Sequence, residues 1–459
     1  MDRLRARKKF IVCAALLFAA ASVSSCRPEG GPHGPDDFAG PPGATILIEP
    51  IVNESITYGV LAQAAPTESA EAPRLPPEQR SPSATPAVSP TPLPSPTPAP
   101  SYLKLAFTGD LMMHDVQLDK AYDPLTDTHT FAHYDYVSAY LNGADYAVGN
   151  LETTLSGKEA GYATYPLFNA PDSFGEAIKK AGYDFVTTAN NHCYDKRESG
   201  LLRTVEILDS LGLGHAGTYA TEEESEKIFV GEINGITFAI LSYTYSTNGI
   251  PVAAGKPWQV NMLGDELMKR QIEEARGLAD VVIVSPHMGN EYEEVPAARY
   301  VNLCRNLCEW GADAVMAHHP HVLQPVEVYV AGGGGENERI CFIAYSMGNF
   351  VSGQRTAPRD AGAIFYLDYM KQEGKVTLVG ASFVPTWVRL VNGAGRHDIK
   401  VVPIYEALRG NAAGERYSLR QVDLNRMREV HRETTKKLLG EEVAPDAMLP
   451  VYVLYDALG

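Results

Sequence analysis

From Tyr102 onward, short apolar runs alternate with longer amphipathic ones. The short runs are rich in β-branched and aromatic residues and predict strands. Their sequences are LKLAFTG, DYAVGN, DFVTTAN, ITFAILSYT, DVVIVSP, DAVMAHH, ICFIAYS, AIFYLDYM and KVTLVGASFV. Apolar residues spaced three and four apart predict helices between them. These helices cover Phe131–Leu141, Ser173–Ala181, Ser199–Leu211, Asp265–Gly277, Ala297–Gly311 and Val422–Leu439.

The order of these elements predicts the fold class. Strands that alternate with helices indicate βαβ crossovers and a largely parallel sheet, and the later hairpin-like runs indicate a second, more antiparallel sheet. We therefore expect an α/β sandwich of layers. The last helix, Val422–Leu439, is strongly basic, and its charges predict a solvated helix face, with contact to a membrane surface as the alternative.

The N-terminus has the pattern of an export signal. Five basic residues lie among the first nine, and the apolar stretch Phe10–Val23 follows them. This stretch is short for a transmembrane helix and suits the core of a signal peptide. Small residues precede Cys26, as in bacterial lipoprotein signals, in which the cysteine is lipidated. Residues 1–25 are therefore predicted to be a lipoprotein-type signal, and the protein is expected to be extracytoplasmic and anchored to the cell membrane. A plain secretory signal and an uncleaved short anchor are the alternatives.

Residues 26–101 are predicted to be a disordered linker. Eighteen of the 32 prolines lie between residues 27 and 100, and such a segment buries too little apolar surface to offset its chain entropy. The apolar patch Ala44–Val52 is either a transient strand within this linker or a docking segment. The folded body is predicted to span residues 102–459, with core motifs in 102–388 and a C-terminal extension in 389–459.

Charge and cysteine content narrow the function. The net charge is −17, and loss of the cationic signal would make it −21, so a nucleic-acid partner is excluded. A polyanionic ligand would need a bound metal ion or local basic side chains to attract it. Four cysteines of the body show no zinc or disulfide spacing and are predicted to be buried thiols: Cys193, Cys304, Cys308 and Cys341.

Polar side chains follow five of the predicted strands. Their residues are Asp110, then Asn150 and Glu152, then Asn190, Asn191 and His192, then His287 and Glu291, and finally His318, His319 and His321. The carboxyl ends of parallel strands form the crevice in which ligands bind, and these donors suit Mn, Fe or Zn. Taken singly, Asp110 could cap a helix as well as bind a metal ion, and the Asn191–His192 pair could simply form a turn. The five together predict a divalent-metal site.

Six segments in fixed order resemble the bacterial CapA family of poly-γ-glutamate capsule proteins. They are GDLMMHD, GNLETTLSG, ANNHCYD, HMGNEY, AHHPHVLQPVE and YSMGNFV. The resemblance covers about Tyr102 to Val388. It implies the calcineurin-like metallophosphoesterase fold, which is a sandwich of two β-sheets flanked by helices with a metal site at their edge.

The resemblance also implies a role for most site residues. The expected metal ligands are Asp110, Glu152 in place of a bridging aspartate, Asn191, His287, His319 and His321. His192 would protonate a leaving group. Independently of the resemblance, Asn150, Glu291 and His318 are expected to orient the ligands. Two positions depart from the family pattern. Met112 stands where a histidine is usual, with His114 two residues further on, and Met288 replaces a common tryptophan. Because a thioether is a poor ligand for a hard dication, the site is expected to hold either one or two ions.

Two functions follow as hypotheses. The first is a metal-dependent hydrolase of a phosphoester or amide-type bond. The second, which the resemblance favours, is a surface-tethered component of poly-γ-glutamate synthesis, anchoring or export that works with capsule-synthesis membrane proteins and binds the polymer without cleaving it. A role in the synthesis, anchoring or export of a different envelope polymer is a further alternative.

Overall fold

The computed structural model describes the backbone of residues 44–46 and residues 99–333, 338–392, 397–409 and 416–458, without the side chains of 391, 392, 397 and 398. The predictions of a signal peptide, of lipidation at Cys26 and of a disordered linker therefore fall largely outside the described residues. Within them, no helix is long and apolar enough to cross a membrane.

The strands of the described residues are β1 Ala44–Ile46, β2 Ser101–Leu111, β3 Tyr122–Asp123, β4 Thr128–His129, β5 Tyr146–Leu151, β6 Phe185–Thr187, β7 Gly214–Ala216, β8 Phe229–Ile233, β9 Ile236–Thr244, β10 Val281–His287, β11 Ala314–Met316, β12 Val326–Ala331, β13 Arg339–Ala344, β14 Asn349–Val351, β15 Ala361–Gln372, β16 Lys375–Asn392, β17 His397–Pro403 and β18 Tyr452–Asp456. The α-helices there are α1 Asp115–Ala121, α2 Ser138–Leu141, α3 Asp172–Ala181, α4 Arg197–Ser210, α5 Glu222–Ser225, α6 Asp265–Leu278, α7 Ala298–Trp310, α8 Ile404–Arg409 and α9 Gln421–Leu439. Short 3₁₀ helices cover Lys158–Ala160, Pro257–Gln259 and Pro445–Ala447.

Two mixed sheets form the sandwich. Sheet I has the order β17-β16-β15-β2-β5-β6-β7, with β14 added to β2 and β18 to β16. Sheet II has the order β1-β12-β13-β11-β10-β9-β8. In sheet I, β2, β5, β6 and β7 are parallel, and in sheet II, β9, β10, β11 and β13 are parallel. The predicted α/β sandwich of two sheets flanked by helices is confirmed.

The later hairpin does not build a separate antiparallel sheet, in contrast to the prediction. Strands β15 and β16 form the expected antiparallel hairpin, but β15 also pairs antiparallel with β2 from Ser101 to Thr108. The central strand β2 is buried on both faces and would otherwise expose an unpaired edge. The hairpin covers that edge, so each sheet combines parallel and antiparallel pairs. Strand β16 runs through residues 388 and 389 and pairs with β17 and β18 of the C-terminal segment.

The core lies between the sheets and beneath the helices. Leu105 and Phe107 of β2 belong to the apolar cluster that also contains Ile240 and Ile283 of sheet II. Ala106, which points to the opposite face of β2, belongs to a second cluster with residues of α3 and α4. This alternation follows from the two-residue period of a strand and accounts for burial of both faces. Helices α6 and α7 contact the strands of sheet II.

The predicted helix over Phe131–Leu141 is mostly wrong, because only Ser138–Leu141 is α-helical. A continuous helix would use the carbonyl of His133 to accept a hydrogen bond from residue 137. Here that carbonyl accepts instead from the backbone N–H of Val401 in β17 at 2.8 Å. The His133 ring also contacts the carbonyl of Ile399, with Nδ1 at 2.6 Å. Pairing with the distant strand replaces the helical hydrogen bonds in this segment.

The structure describes the four cysteines of the body and the basic last helix, for which the sequence made predictions. Cys193, Cys304, Cys308 and Cys341 are free, buried thiols, as predicted. Helix α9 packs residues such as Met427 and Val430 into the core. Several of its cations are ion-paired rather than free; Arg426, for example, bonds to Asp360, Glu429 and Glu433.

Candidate metal site

The strand ends of both sheets meet at one edge of the sandwich. Asp110 lies near the end of β2, and Glu152 directly follows β5. His287 is the last residue of β10, and its backbone bridges to His318, which follows β11. Because these strands run parallel within their sheets, their carboxyl ends collect the polar side chains that the sequence places there. The site is therefore assembled from both sheets.

Asp110 is the centre of the hydrogen-bond network. Its Oδ1 accepts from Asn150 Nδ2 at 2.8 Å and from His318 Nδ1 at 3.1 Å. Its Oδ2 accepts from His321 Nδ1 at 3.0 Å. Burial opposes the charge of Asp110, but the hydrogen bonds and positive charge of the two histidines hold its pKa well below the ordinary value. Asp110 is thus a buried carboxylate that is hydrogen-bonded to Asn150, His318 and His321.

The backbone beside Asp110 is packed too closely for a side chain. A Cβ on Gly109 would lie 1.9 Å from the carbonyl oxygen of Gly348. That same carbonyl accepts a hydrogen bond from the Asp110 N–H at 2.9 Å. Glycine at position 109 therefore permits the contact between β2 and the turn before β14 that fixes the Asp110 backbone.

Glu152 places a carboxylate oxygen where it has no hydrogen-bond donor. Its Oε1 is buried and makes no hydrogen bond in the described part of the chain. It lies 3.6 Å from His287 Nε2 and 3.7 Å from His321 Nε2. Because His321 Nδ1 is bonded to Asp110, Nε2 is the ring nitrogen that faces Glu152. Burial, and then repulsion from Asp110, raise the pKa of Glu152.

The histidine loop holds its rings in an uncommon backbone conformation. His319 has φ of 99° and His321 has φ of 59°, on either side of Pro320. Positive φ costs energy for residues with a side chain and is typical of functional sites. His319 Nδ1 is buried without a hydrogen-bond partner among the described residues. Burial, together with the neighbouring charge of His321, lowers the pKa of His319 to about 3, so the ring is a neutral donor of an electron pair.

Three overlapping groups of side chains have the spacing of metal ligands. They are Glu152 with His287 and His319, Asp110 with Glu152 and His321, and Glu291 with His319 and His321, and in each the candidate ligand atoms lie within 4.8 Å of one another. Burial, and then the charges of neighbouring histidines, lower the pKa of His287. Glu152 belongs to two groups, as a bridging ligand would. Glu291 was predicted to orient other ligands. Its carboxylate oxygen, however, lies within 4.8 Å of candidate ligand atoms of His319 and His321, as that of a ligand would.

The remaining predicted residues lie beside these groups. Asn191 Oδ1 is 2.7 Å from His287 Nε2. His192 Nδ1 is 2.8 Å from Asp195 Oδ2, which also accepts from the Phe168 N–H at 2.6 Å. The ring of Phe168 packs edge-on against His192 at 4.5 Å. With Nδ1 bonded to Asp195, His192 is held in one orientation with Nε2 as its second nitrogen. The sequence analysis did not single out Asp195, although its position three residues after His192 was a usable signal.

At the first departure from the family pattern, Met112 and His114 make contacts of other kinds. Met112 is buried, and its carbonyl accepts from the Gln117 side chain at 2.8 Å. His114 does not replace the missing histidine in any of the three groups above. Its Nδ1 accepts from the Gly353 N–H at 3.3 Å, and its ring packs against Phe168 at 5.2 Å. Burial, and then the charges of His321 and His192, lower the pKa of His114 to about 4.

Aromatic residues at the rim were missed by the sequence analysis. The ring of Tyr245 lies 4.6 Å from that of His319, and the ring of Tyr292 lies 6.1 Å from that of His321. Both tyrosines are partly exposed. The guanidinium of Arg359 lies over the Tyr292 ring at 4.4 Å. Tyr245 directly follows β9 and Tyr292 ends the segment HMGNEY, so sequence position was a usable signal for both, whereas Arg359 lies in none of the six segments.

The chain is similar to proteins that are named for capsule synthesis. Residues 104–354 match a family model described as "Bacterial capsule synthesis protein PGA_cap". The chain is 31% identical over 288 residues to capsule biosynthesis protein CapA of Bacillus anthracis, covering 60% of this chain and 66% of that protein. It is 30% identical over 320 residues to PGA biosynthesis protein CapA of Bacillus subtilis, covering 66% of this chain and 72% of that protein.

Among solved structures, the fold is similar to that of the calcineurin-like phosphoesterase YfkN from Bacillus subtilis. The TM-score is 0.34 at 14% sequence identity, and the match covers 74% of this chain and 99% of that one. The resemblance inferred from the six sequence segments is confirmed by the family match, which spans more than half of the chain and includes nearly all of the site residues. The chain belongs to the bacterial capsule synthesis protein family PGA_cap, whose relatives include the CapA proteins of Bacillus.

Proposed function

We propose that this protein is an exported, membrane-anchored CapA-like protein that acts in the synthesis, anchoring or export of poly-γ-glutamate or another anionic envelope polymer through a divalent-metal site. Family membership supports the polymer class, because the B. subtilis relative is named for PGA biosynthesis. The cationic N-terminus, the apolar stretch and Cys26 support export and lipid anchoring.

One observation carries the metal site. Glu152 Oε1 is buried without a hydrogen-bond donor among the described residues, and it lies 3.7 Å from His321 Nε2 and 3.6 Å from His287 Nε2. A buried carboxylate oxygen without a donor destabilises the fold, and a cation held between it and the two imidazole nitrogens would remove that cost. Oxygen and imidazole donors of this kind suit Mn, Fe or Zn.

The donors fit one or two ions. Asp110, Glu152 and His321 would hold one ion, and Glu152, His287 and His319 would hold another, with Asn191 and Glu291 close enough to complete the coordination. Such ions would polarise a bound oxyanion and lower the pKa of a bound water. His318 and Asn150 keep the Asp110 carboxylate oriented through the hydrogen bonds described above. Burial of Glu152, His287 and His319 excludes bulk water from their ligand atoms.

A second candidate function is metal-dependent hydrolysis of a phosphoester or amide-type bond in the envelope. The observation that favours it is the pairing of His192 with Asp195 at 2.8 Å. This hydrogen bond fixes the ring and leaves Nε2 to give a proton to a leaving group. A protein that only binds polymer has no need for an oriented proton donor beside its metal site.

The metal content of the purified full chain tests the metal site, on which both candidate functions depend. We expect one or two equivalents of Mn, Fe or Zn by mass spectrometry after expression in metal-replete medium. Glu152→Gln should lose most of this metal, because a neutral amide replaces the shared carboxylate. Glu232→Gln is the matched control, since this glutamate is exposed on β8. Wild-type protein purified without metal under these conditions would refute the proposal.

Complementation in a poly-γ-glutamate-producing bacterium separates the two candidates. A deletion strain should lose cell-associated polymer and regain it with the wild-type gene. Asp195→Asn leaves the metal ligands intact and disturbs only the orientation of His192. Full rescue by this variant supports a binding role, whereas loss of rescue supports hydrolysis. Cys26→Ser should release the protein from the membrane fraction if the lipid anchor exists.

A further inference from the structure

Arg359 and Tyr292 form a cation–aromatic pair beside the candidate metal site. The guanidinium carbon lies 4.4 Å from the centre of the Tyr292 ring. The same ring is 6.1 Å from the ring of His321, with the two planes inclined by 36°. The guanidinium and a candidate metal ligand therefore lie near the same aromatic ring. Tyr292 is 43% exposed and Arg359 is partly exposed, so a ligand can reach both.

Tyr292 is fixed by the histidine loop itself. Its backbone has φ of 67°, and its N–H donates to the carbonyl of Pro320 at 2.8 Å. Pro320 lies between His319 and His321. A positive φ at a residue with a bulky side chain persists only where neighbouring contacts impose it. The position of the Tyr292 ring is therefore tied to that of the histidines.

Arg359 is fixed from the other sheet. Its carbonyl oxygen accepts a hydrogen bond from Asn349 Nδ2 at 3.1 Å. Asn349 is the residue of β14 that lies opposite Asp110 in the β14–β2 pairing. Both members of the pair are thus held by residues that contact the backbone of candidate metal ligands, and their distance from the site is set by the fold.

Arg359 has no ion-pair partner among the described residues. In the described ranges it makes no ion pair with a carboxylate within 4.0 Å, whereas several other partly buried arginines do, such as Arg276 with Asp313 and Arg305 with Glu327. Tyr292 is flanked in sequence by Glu291 and Glu293, and Glu291 belongs to a candidate metal-ligand group. An unpaired guanidinium beside a site for divalent cations is repelled by those cations unless an anion lies between them.

We infer that Arg359, held against Tyr292, binds a second anionic group of a ligand whose first anionic group lies at the metal site. This inference rests on the proposed function, and it deepens it by specifying the ligand. The ligand carries at least two oxyanions, and a polycarboxylate chain meets that condition because each residue repeats the charge. Guanidinium groups bind carboxylate and phosphate oxygens in a bidentate manner. The second anionic group, which binds to Arg359, is therefore a carboxylate or a phosphate.

Binding measurements on the Mn²⁺-loaded full-length protein test the inference. The probes are a γ-linked glutamate pentamer, pyrophosphate, and acetate as a single-anion reference. Arg359→Gln should weaken the binding of the pentamer roughly ten- to hundredfold, the range for loss of a charge-assisted hydrogen bond. It should leave the affinities for Mn²⁺ and acetate within about twofold. Arg359→Lys should recover only part of the loss, because lysine cannot bind in a bidentate manner.

Arg355→Gln is the matched control. Arg355 lies in the same loop and is exposed, so this variant makes the same charge change away from the Tyr292 ring. Equal melting temperatures would show that each variant is folded. If Arg359→Gln binds both multi-anion probes as wild type does, or if Arg355→Gln weakens them as much, the inference is overturned. If only pyrophosphate binding depends on Arg359, the inference stands and the polyglutamate part of the proposed function fails.

Discussion

Replacing Glu152 by glutamine should change the stability of the protein in opposite directions without and with metal. In the metal-free protein, Glu152 Oε1 is buried, lacks a donor among the described residues and lies near the Asp110 carboxylate. A glutamine has nearly the same shape and carries no charge. The substitution therefore removes both the repulsion from Asp110 and the buried carboxylate oxygen that lacks a donor.

The expected size of the effect follows from these contacts. An unsatisfied buried polar group costs about 1–3 kcal/mol, and more when it is charged. For a body of this size, 1 kcal/mol shifts the melting temperature by about 1–2 °C. Metal-free Glu152→Gln should therefore melt about 2–5 °C above metal-free wild type. Metal at about one hundred times its dissociation constant adds about 2.7 kcal/mol to wild type, and should add little to the variant.

The assay is a thermal melt followed by circular dichroism in EDTA and then in excess Mn²⁺ at pH 7.5. The order of the two melting temperatures should reverse between the conditions. Exposed Glu232→Gln should follow wild type in both. A Glu152→Gln protein that is less stable than wild type in EDTA, or one that gains as much stability from Mn²⁺, would show that Glu152 does not face a cation site.

Three further outcomes follow from the same geometry. Because the fold raises the pKa of Glu152, metal-free wild type should lose stability as the pH rises from the ordinary glutamate range through the raised value, and denaturant midpoints of Glu152→Gln should lack this component. Asp195→Asn should reduce any phosphodiesterase or amidase activity roughly a hundredfold through misorientation of His192, at unchanged metal content by mass spectrometry. Gly109→Ala should destabilise the protein by about 3 kcal/mol or more, because its Cβ would collide with a backbone carbonyl. The helix residue Gly277, whose Cβ position is open, is the control for alanine in denaturant unfolding.

The sequence was most informative where local pattern decides structure. The helices α3, α4, α6, α7 and α9 begin and end within two residues of the predicted bounds, because their apolar stripes are regular. The polar residues that follow the predicted strands also meet at one edge, because β2, β5, β10 and β11 are parallel in their sheets and carry these residues at their carboxyl ends. This prediction needs only a local pattern, namely a buried strand that is followed by a side chain able to bind metal.

Features that depend on distant pairing were not predictable in this way. The segment Phe131–Leu141 has a helical pattern, but the carbonyl of His133 is taken by Val401, more than 250 residues away. The hairpin β15–β16 has the expected local shape, and nothing within it specifies β2 as its neighbour. The contact of Arg359 with Tyr292 likewise joins two loops that are far apart in sequence. In each case the deciding hydrogen bond or packing contact involves a partner that a local pattern does not contain.

The position of the candidate site between the sheets links its metal chemistry to ligand recognition. Asp110 and Glu152 come from sheet I, whereas His287, His319 and His321 come from sheet II. An ion held by both sets would cross-link the two sheets at their common edge. The rim repeats this arrangement, because Arg359 precedes β15 of sheet I and Tyr292 follows β10 of sheet II. A ligand with two anionic groups would therefore contact both sheets twice, once through the ion and once through the cation–aromatic pair. An acidic protein can in this way hold an acidic polymer, since the attraction comes from a few fixed cations at one edge rather than from a basic surface.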